Sequence, residues 1–310
     1  MSALKFSIIV PTYNEEKDIA LTLDALTVLD YPEYEVLMVD DSTDKTPDII
    51  KRYENRGISL IHPGGGGRCE ARNIGIQRAT GDVIVILNAD VQLPKDFLNQ
   101  IKKHYDNGAD LVSVSSKAIN DDKLFSRYID CANLYEESDF EKNKMLWTEG
   151  FSCRRALALK AGLFPAGFPI AMYAGEDGYF AENLVKAGGK KCVDLRIVVN
   201  HVAPAAFKEY WHIRTTRGRA CSQYRRYINH WSLKKIATWH CLKTGWNTLK
   251  LATFFYPLYY CWKISRFSKY GRRDWLKLYY AHVIESIAMT YGLWKELWII
   301  SEAERLKNIS

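Results

Sequence analysis

Several familiar signatures are missing from this chain, and each absence removes a class of function. There is no C-x-x-C pair. The seven cysteines (Cys69, Cys131, Cys153, Cys192, Cys221, Cys241, Cys261) are odd in number and scattered. That spacing builds neither a disulfide framework nor a zinc site, and it suits a reducing compartment. No G-x-x-x-x-G-K-[ST] occurs, and the glycines of 64–67 do not form G-x-G-x-x-G directly after the first strand. A P-loop and a dinucleotide fold are thereby disfavoured. No apolar run approaches the ~20 residues that a spanning helix needs. No secretory leader is expected, because Lys5–Pro11 is too short and reads as a first strand. Internal repeats are also absent.

What is present is an ordinary globular composition with an uneven charge. Of 310 residues, 47% are hydrophobic and 25% charged, which suits one large domain or two modest ones. Residues 205–310 carry 19 Lys and Arg against 6 Asp and Glu, leaving 24 against 30 for residues 1–204. Every tryptophan except Trp147 lies in that basic third. The expected division is a catalytic or binding domain at 1–204. A basic, aromatic segment at 205–310 follows, suited to an anionic partner.

Within the first part, short apolar runs alternate with amphipathic stretches. The run Val83-Ile84-Val85-Ile86-Leu87 reads as a strand buried on both faces. Others are expected at Phe6–Val10, stopped by Pro11, at Glu35–Val39, at Ser59–Ile61 and at 111–114. Helices are expected at about 15–29, capped by Asn14, and at about 45–56, 94–107, 124–141, 155–161 and 177–187. The loop of 63–67 leads into another, ending at about Ala79. Short strands are expected at 191–194 and 197–199. The alternation predicts an α/β fold with a mostly parallel sheet and right-handed crossovers. Such sheets bind ligands beyond the carboxyl ends of their strands. There the sequence places Thr12, Tyr13 and Glu15, then Asp40 and Asp41, then Arg72, then Asn88, Ala89 and Asp90. An aromatic ring, carboxylates, a cation and a carboxylate able to hold a hard metal ion together suit a nucleoside diphosphate and Mg²⁺. The pairs Asn88/Asp90 and Glu176/Asp177 also fit a two-carboxylate hydrolase, but the nucleotide-site residues argue against it.

Pro11-Thr12-Tyr13-Asn14-Glu15, Val39-Asp40-Asp41-Ser42-Thr43-Asp44, Ala71-Arg72-Asn73-Ile74-Gly75 and the Asp90 stretch resemble glycosyltransferase family 2. Gly175-Glu176-Asp177-Gly178 resembles that family's later acidic motif. The resemblance covers about residues 5–200 and implies a GT-A catalytic domain at 1–204, with a nucleotide-sugar half to about 115 and an acceptor half from about 116, and an inverting, nucleotide-sugar-dependent transferase. It implies that Pro11, Thr12, Tyr13, Glu15, Asp40 and Asp41 hold the nucleoside, and that Arg72 meets the diphosphate. Asp90 would bind Mg²⁺ or Mn²⁺, with His201 a further candidate ligand. Asp177 would be the general base and Glu176 its support. One position departs: the family's Asp-x-Asp begins here with Asn88, a weaker ligand. That change keeps open a non-catalytic nucleotide-sugar-binding or membrane scaffold protein. Arg214, Arg217 and Arg219 lie where the family often places basic residues facing a phosphate; a solvated basic helix is the alternative. No Q-x-x-R-W follows, which disfavours a polymerising enzyme.

Leu251–Trp262 is mostly apolar, rich in Tyr and Trp, and flanked by Lys250 and Lys263. Such a segment, like Leu276–Ile300, suits a helix lying on an anionic membrane surface; helices packed on protein are the alternative. The expectation is a peripheral enzyme at the cytoplasmic face, using a UDP- or GDP-sugar and a lipid-linked or saccharide acceptor. Both a glycan-extending transferase and a polyprenyl-phosphate sugar synthase stay open, and the sequence admits a homo-oligomer. No nucleic-acid motif is present.

Overall fold

The structure, a computed structural model, describes residues 4–138 and 149–307. They form two compact units. The first holds 4–119, 149–171 and 176–202; the second holds 120–138, 172–175 and 203–307. The break at Val202/Ala203 lies two residues from the expected 204/205. The helix after residue 120, expected in the acceptor half, groups instead with the C-terminal helices. The expected end of that helix at 139–141, together with Trp147 and Thr148, lies outside the described residues.

The first unit is an eight-stranded sheet. Its strands are β1 (Phe6–Thr12), β2 (Tyr34–Asp40), β3 (Ile58–Ile61), β4 (Val83–Ile86), β5 (Val91–Gln92), β6 (Leu111–Ala118), β7 (Phe151–Arg154) and β8 (Lys191–His201). They lie in the order β3-β2-β1-β4-β7-β6-β8-β5. The half from β3 to β4 is parallel, as the alternating pattern predicts. β7 runs antiparallel to β4 and β6, and β5 antiparallel to β8, so the sheet is mixed. Helices α1 (Ile19–Thr27), α2 (Thr46–Lys51), α3 (Gly67–Arg78) and α4 (Phe97–Asp106) precede α5 (Leu124–Glu137); α6 (Arg155–Ala161) and α7 (Glu176–Lys186) follow it.

β1 is buried on both faces, which explains its unbroken apolar run. Ile8 and Val10 join Leu23, Leu26, Phe97 and Ile101 in one core. Ile9 points the other way, toward α3. A Cβ on Gly75 would stand 2.4 Å from Ile9 Cγ2, so α3 reaches β1 only because residue 75 has no side chain. Three sequence expectations change here. β1 continues through Pro11 to Thr12, because its pairing with β4 ends at Ile9 and only the β2 side remains. α1 begins at Ile19, and Asn14 does not cap it: Asn14 sits at φ 58° and its Oδ1 accepts from Thr43 N at 2.9 Å. β8 is one strand, with a register shift where Asp194 accepts from Arg196 N at 3.1 Å.

The second unit comprises α5, α8 (Phe207–Gln223), α9 (Leu233–Thr253), α10 (Phe255–Ile264) and α11 (Trp275–Lys307). α5 belongs here because Arg127 Nε donates to Asp274 Oδ2 at 2.6 Å and the Tyr128 hydroxyl to Glu285 Oε2 at 2.5 Å. α8 and α11 approach backbone to backbone. A Cβ on Gly218 would lie 2.1 Å from the Met289 carbonyl, and one on Gly292 would lie 2.1 Å from that of Thr215. Of the two alternatives for Leu276–Ile300, packing on protein holds for one face, which lies on α8 with Leu278, Ala281, Ala288, Leu293 and Ile300 buried; Leu276, Tyr280, Tyr291 and Trp298 of the same helix are exposed. Among the described residues no helix is long and apolar enough to cross a membrane.

Candidate active site

The carboxyl ends of β1 and β2 are fastened together by short polar bonds. Thr12 and Ser42 hydroxyls both donate to Asp40 Oδ1 at 2.6 Å. Asp40 is fully buried, so it shapes the loop and does not present a carboxylate. The Asn14 amide N–H donates to Ser42 Oγ at 2.7 Å, closing the loop from the other side. What remains open is the Tyr13 ring, 62% exposed, and the half-buried Asp41 carboxylate. Glu15 is fixed through its N–H to Thr46 Oγ1 at 2.8 Å. Burial, followed by the negative charges of Asp90 and Asp18, raises Glu15 from 4.5 to about 7.

The β4 strand delivers Asn88-Ala89-Asp90 into a tight turn, in which Val91 N donates to the Asn88 carbonyl at 3.3 Å. The buried Ala89 holds this turn on α1, its carbonyl accepting from the Thr22 hydroxyl at 2.5 Å. Pairing of Val91 with His201 brings the end of β8 alongside. His201 Nε2 then lies 3.1 Å from Asp90 Oδ2, and its Nδ1 lies 3.9 Å from Glu149 Oε1. The other Asp90 oxygen, Oδ1, is buried with no hydrogen-bond partner.

Behind Asp90 runs a buried ionic brace. Arg72, wholly buried, donates from Nη1 to Glu176 Oε1 at 2.8 Å and from Nη2 to Asn88 Oδ1 at 3.0 Å. The guanidinium also lies 5.0 Å over the Phe164 ring. Burial would raise Glu176, but the charges of Arg72 and Arg68 outweigh it and hold the carboxyl below its ordinary range. Arg72, the cation expected at the diphosphate, is thus wholly buried and already engaged. A buried guanidinium needs a carboxylate partner, and Arg72 has one. Arg68, one turn earlier on α3, is 49% exposed and only 3.6 Å from Glu176 Oε1. It is the α3 cation that combines exposure with a place beside Glu176, and sequence reasoning missed it because only Arg72 lies in the motif. Asn88 also finds a reason: the amide accepts from Arg72 without adding a negative charge beside Asp90 and Glu15.

Asp177 follows Glu176 in the first turn of α7, half-buried, with Oδ1 accepting from Gly178 N at 2.8 Å. Gly64 to Gly67 all take positive φ, between 79° and 101°, a conformation that side chains oppose. They lead directly into the α3 N-terminus, whose orphan N–H groups favour an anion. Of the arginines on α8, Arg214 is buried against Glu285 at 3.1 Å, and Arg219 Nε donates to Glu296 at 2.6 Å. Arg217 alone of the three is exposed. The half-buried Glu285 and the buried Glu296 of α11 thus organise two of these cations within the helical unit, which replaces the picture of an openly solvated basic helix.

The residues of the first unit fit a divalent cation. Asp90 offers a buried, unsatisfied oxygen, and Glu15 resists ionisation because burial and the charges of Asp90 and Asp18 outweigh the nearby Arg68. Among the described residues no three His, Cys, Asp or Glu side chains could hold a metal alone. That suits a cation bound by one or two carboxylates and completed by substrate phosphates and water. Glu15 also gives a prediction. Its pKa is raised in the fold, so the folded state holds the extra proton between pH 4.5 and about 7. Stability without ligand should fall as pH rises through that window. Glu15→Gln should flatten the slope in urea unfolding at several pH values; an unchanged slope would contradict the assignment.

Residues 7–163 match the glycosyl transferase family 2 model. The chain belongs to glycosyl transferase family 2. Among relatives of this family, it is 35% identical over 124 residues to the poly(ribitol-phosphate) beta-N-acetylglucosaminyltransferase TarS of Staphylococcus aureus, covering 38% of this chain and 22% of TarS. It is 33% identical over 132 residues to an undecaprenyl-phosphate 4-deoxy-4-formamido-L-arabinose transferase of Photorhabdus laumondii, covering 40% of each. These matches thus span about a fifth to two fifths of the relatives' lengths. The family fold is the GT-A fold. The mannosyltransferase PcManGT of Pyrobaculum calidifontis, solved with GDP-Man and Mn²⁺, superposes with a TM-score of 0.66 at 22% identity, over 96% of this chain and 88% of that one.

Proposed function

We propose that this family 2 chain transfers a sugar, with inversion, from a UDP- or GDP-sugar to a hydroxyl acceptor on a lipid-linked or saccharide molecule, at an anionic membrane surface. The observation that carries the reading is the Asp90–Glu15 cluster: a buried carboxylate oxygen without a partner, at the carboxyl end of β4, beside a second carboxylate that burial and negative charge raise to about 7. Such a cluster calls for a cation, and a nucleoside diphosphate supplies the remaining ligands. The names of the relatives support the acceptor class, since one acts on poly(ribitol phosphate) and the other on undecaprenyl phosphate.

In this reading Tyr13 and Asp41 meet the nucleoside, and Thr12 and Asp40 shape the loop that presents them. His201 orients Asp90, and Glu149 faces the other nitrogen of the ring. Asp90 holds Mg²⁺ or Mn²⁺, which would neutralise the diphosphate leaving charge. Arg68 and the α3 N-terminus meet the same phosphates. Asp177 accepts the acceptor hydroxyl proton as the oxygen bonds to the anomeric carbon and the bond to phosphate breaks. Glu176 and Arg72 hold α7 against the β4 turn. All seven cysteines are free thiols, which suits the reducing, cytoplasmic side of the membrane.

Calorimetry with UDP- and GDP-sugars tests the metal assignment. Adding Mn²⁺ should tighten donor binding by about tenfold or more, and Asp90→Ala should remove that gain, as loss of a ligand does. Equal donor affinity of the parent protein in Mn²⁺ and in chelator would refute it.

A further inference from the structure

The α9–α10 junction is the least covered part of the helical unit. Of the 21 residues of α9, only Ile236 and His240 are buried. The helix stops at Phe254, which takes φ 56° and ψ −28°. Left-handed backbone is a genuine outlier for a bulky side chain. Strain of this kind persists where the surroundings over-determine it, and it clusters at functional positions. Its effect is an elbow that turns α10 away and leaves Phe254 57% and Phe255 78% exposed. Trp246, Tyr256, Tyr259 and Trp262 continue the same stretch, each between 46% and 54% exposed. A contiguous apolar surface of this kind marks an interaction site.

The cations here pair with rings and not with acids. Lys250 Nζ lies 4.3 Å from the Tyr256 ring centroid, and Lys263 Nζ lies 4.7 Å from that of Tyr259. The Arg272 guanidinium covers Trp262 at 3.6 Å. Behind the elbow is a cavity of about 210 Å³ whose polar lining includes Asn247, Lys250, Tyr256, Tyr260, His282 and Ser286. Tyr128 anchors its rear wall, the hydroxyl lying 2.8 Å from His282 Nδ1. An ammonium, an amide and a hydroxyl line this space, and among the described residues its lining holds no carboxylate; Glu285 Oε2 stands behind it, 3.8 Å from His282 Nδ1. That chemistry takes a phosphate. The cavity has room for about seven waters, which admits a headgroup and excludes acyl chains. Chains attached to a phosphate held there would have to lie outside, where the exposed aromatic rings are.

We propose that the α9–α10 elbow is a lipid-docking site: the cavity takes the phosphate of an anionic phospholipid headgroup through Lys250 and Asn247, and the Phe254–Trp262 face enters the acyl boundary. The excess of 19 basic over 6 acidic residues in 205–310 supplies the charge complementarity. The site goes beyond the transfer reaction but rests on its membrane-surface part.

The test uses the full chain and sedimentation with sucrose-loaded vesicles. One set is phosphatidylcholine; the other contains phosphatidylglycerol at about one part in four, enough to give a negative surface potential. The triple variant Phe255→Ser, Tyr259→Ser, Trp262→Ser changes only exposed rings. It should weaken partitioning to both vesicles by about tenfold or more, since three rings leave the boundary. Lys250→Met should remove about fivefold of the preference for phosphatidylglycerol, the worth of one lysine near the surface, and keep binding to phosphatidylcholine. Unchanged partitioning of either variant overturns the site. So does calorimetric binding of inorganic phosphate that Lys250→Met abolishes while vesicle binding persists, which would make it a soluble-phosphate site. A dimer of the parent protein that the triple variant dissociates in sedimentation velocity would show a second copy as the occupant and overturn it as well. Thermal stabilisation by nucleotide sugars, measured in every variant, separates a failed docking site from a failed transferase reading.

Discussion

Replacing Asp177 with asparagine should lower kcat by about 10²–10⁴-fold, the usual worth of a positioned general base, and leave nucleotide-sugar affinity within about twofold. The amide is isosteric with the carboxylate. Its oxygen still accepts from Gly178 N, now made at 2.8 Å, so the first turn of α7 keeps its form. What the variant loses is the ability to take a proton from the acceptor hydroxyl. The neighbouring Glu176 cannot replace it, because it is 2% exposed and its charge is committed to Arg72 and Arg68. Single-turnover transfer with a saturating donor checks the result. Equal turnover in variant and parent would remove Asp177 from the chemistry.

Arg72→Met should destabilise the protein by about 3 kcal/mol, at the low end for breaking a buried ion pair. Arg72 is wholly buried and Glu176 is 2% exposed, so the variant leaves a carboxylate buried beside one weaker, half-exposed partner, Arg68 at 3.6 Å. Urea unfolding at neutral pH measures the loss. The double variant Arg72→Met, Glu176→Leu should recover at least about half, because an apolar pair replaces a buried ionic one with little net cost. The pH dependence has a definite sign. In the parent, Glu176 is held below its ordinary range, so its contribution is present at neutral pH and fades in acid. Without Arg72, burial raises the carboxyl instead, so the deficit of the single variant should shrink as pH falls. A deficit independent of pH, with no recovery in the double variant, would mean that Arg72 acts through packing alone.

The two variants test different layers of the same site, and the sequence showed them unequally. Its motifs named Thr12, Asp41, Asn88, Asp90, Glu176 and Asp177, and a parallel sheet accounts for their meeting. Side chains at the carboxyl ends of β1, β2 and β4 gather at one edge by construction. The alternation of apolar runs gave β1 to β4 within a residue or two. It failed at β5, which has only two residues, and at β7, whose Phe-Ser-Cys-Arg sequence carries no apolar run. It also left the aromatic stretch of α11 open between a membrane surface and packing on protein. Gly218 and Gly292, whose missing side chains let α8 and α11 touch, look in sequence like ordinary glycines.

The sequence by itself determined the family, the sheet edge and the chemical identity of the groups along it, because those depend on local pattern and on residue type. The tertiary structure decided which of those groups is open and which is already engaged. Arg72 and Glu176 are 104 residues apart, and Asp90 and His201 are 111 apart. Hydrogen bonding and desolvation act over a few ångströms of space, so no spacing along the chain could say that Arg72 is a buried brace, that Arg68 faces solvent, or that one oxygen of Asp90 is left without a partner.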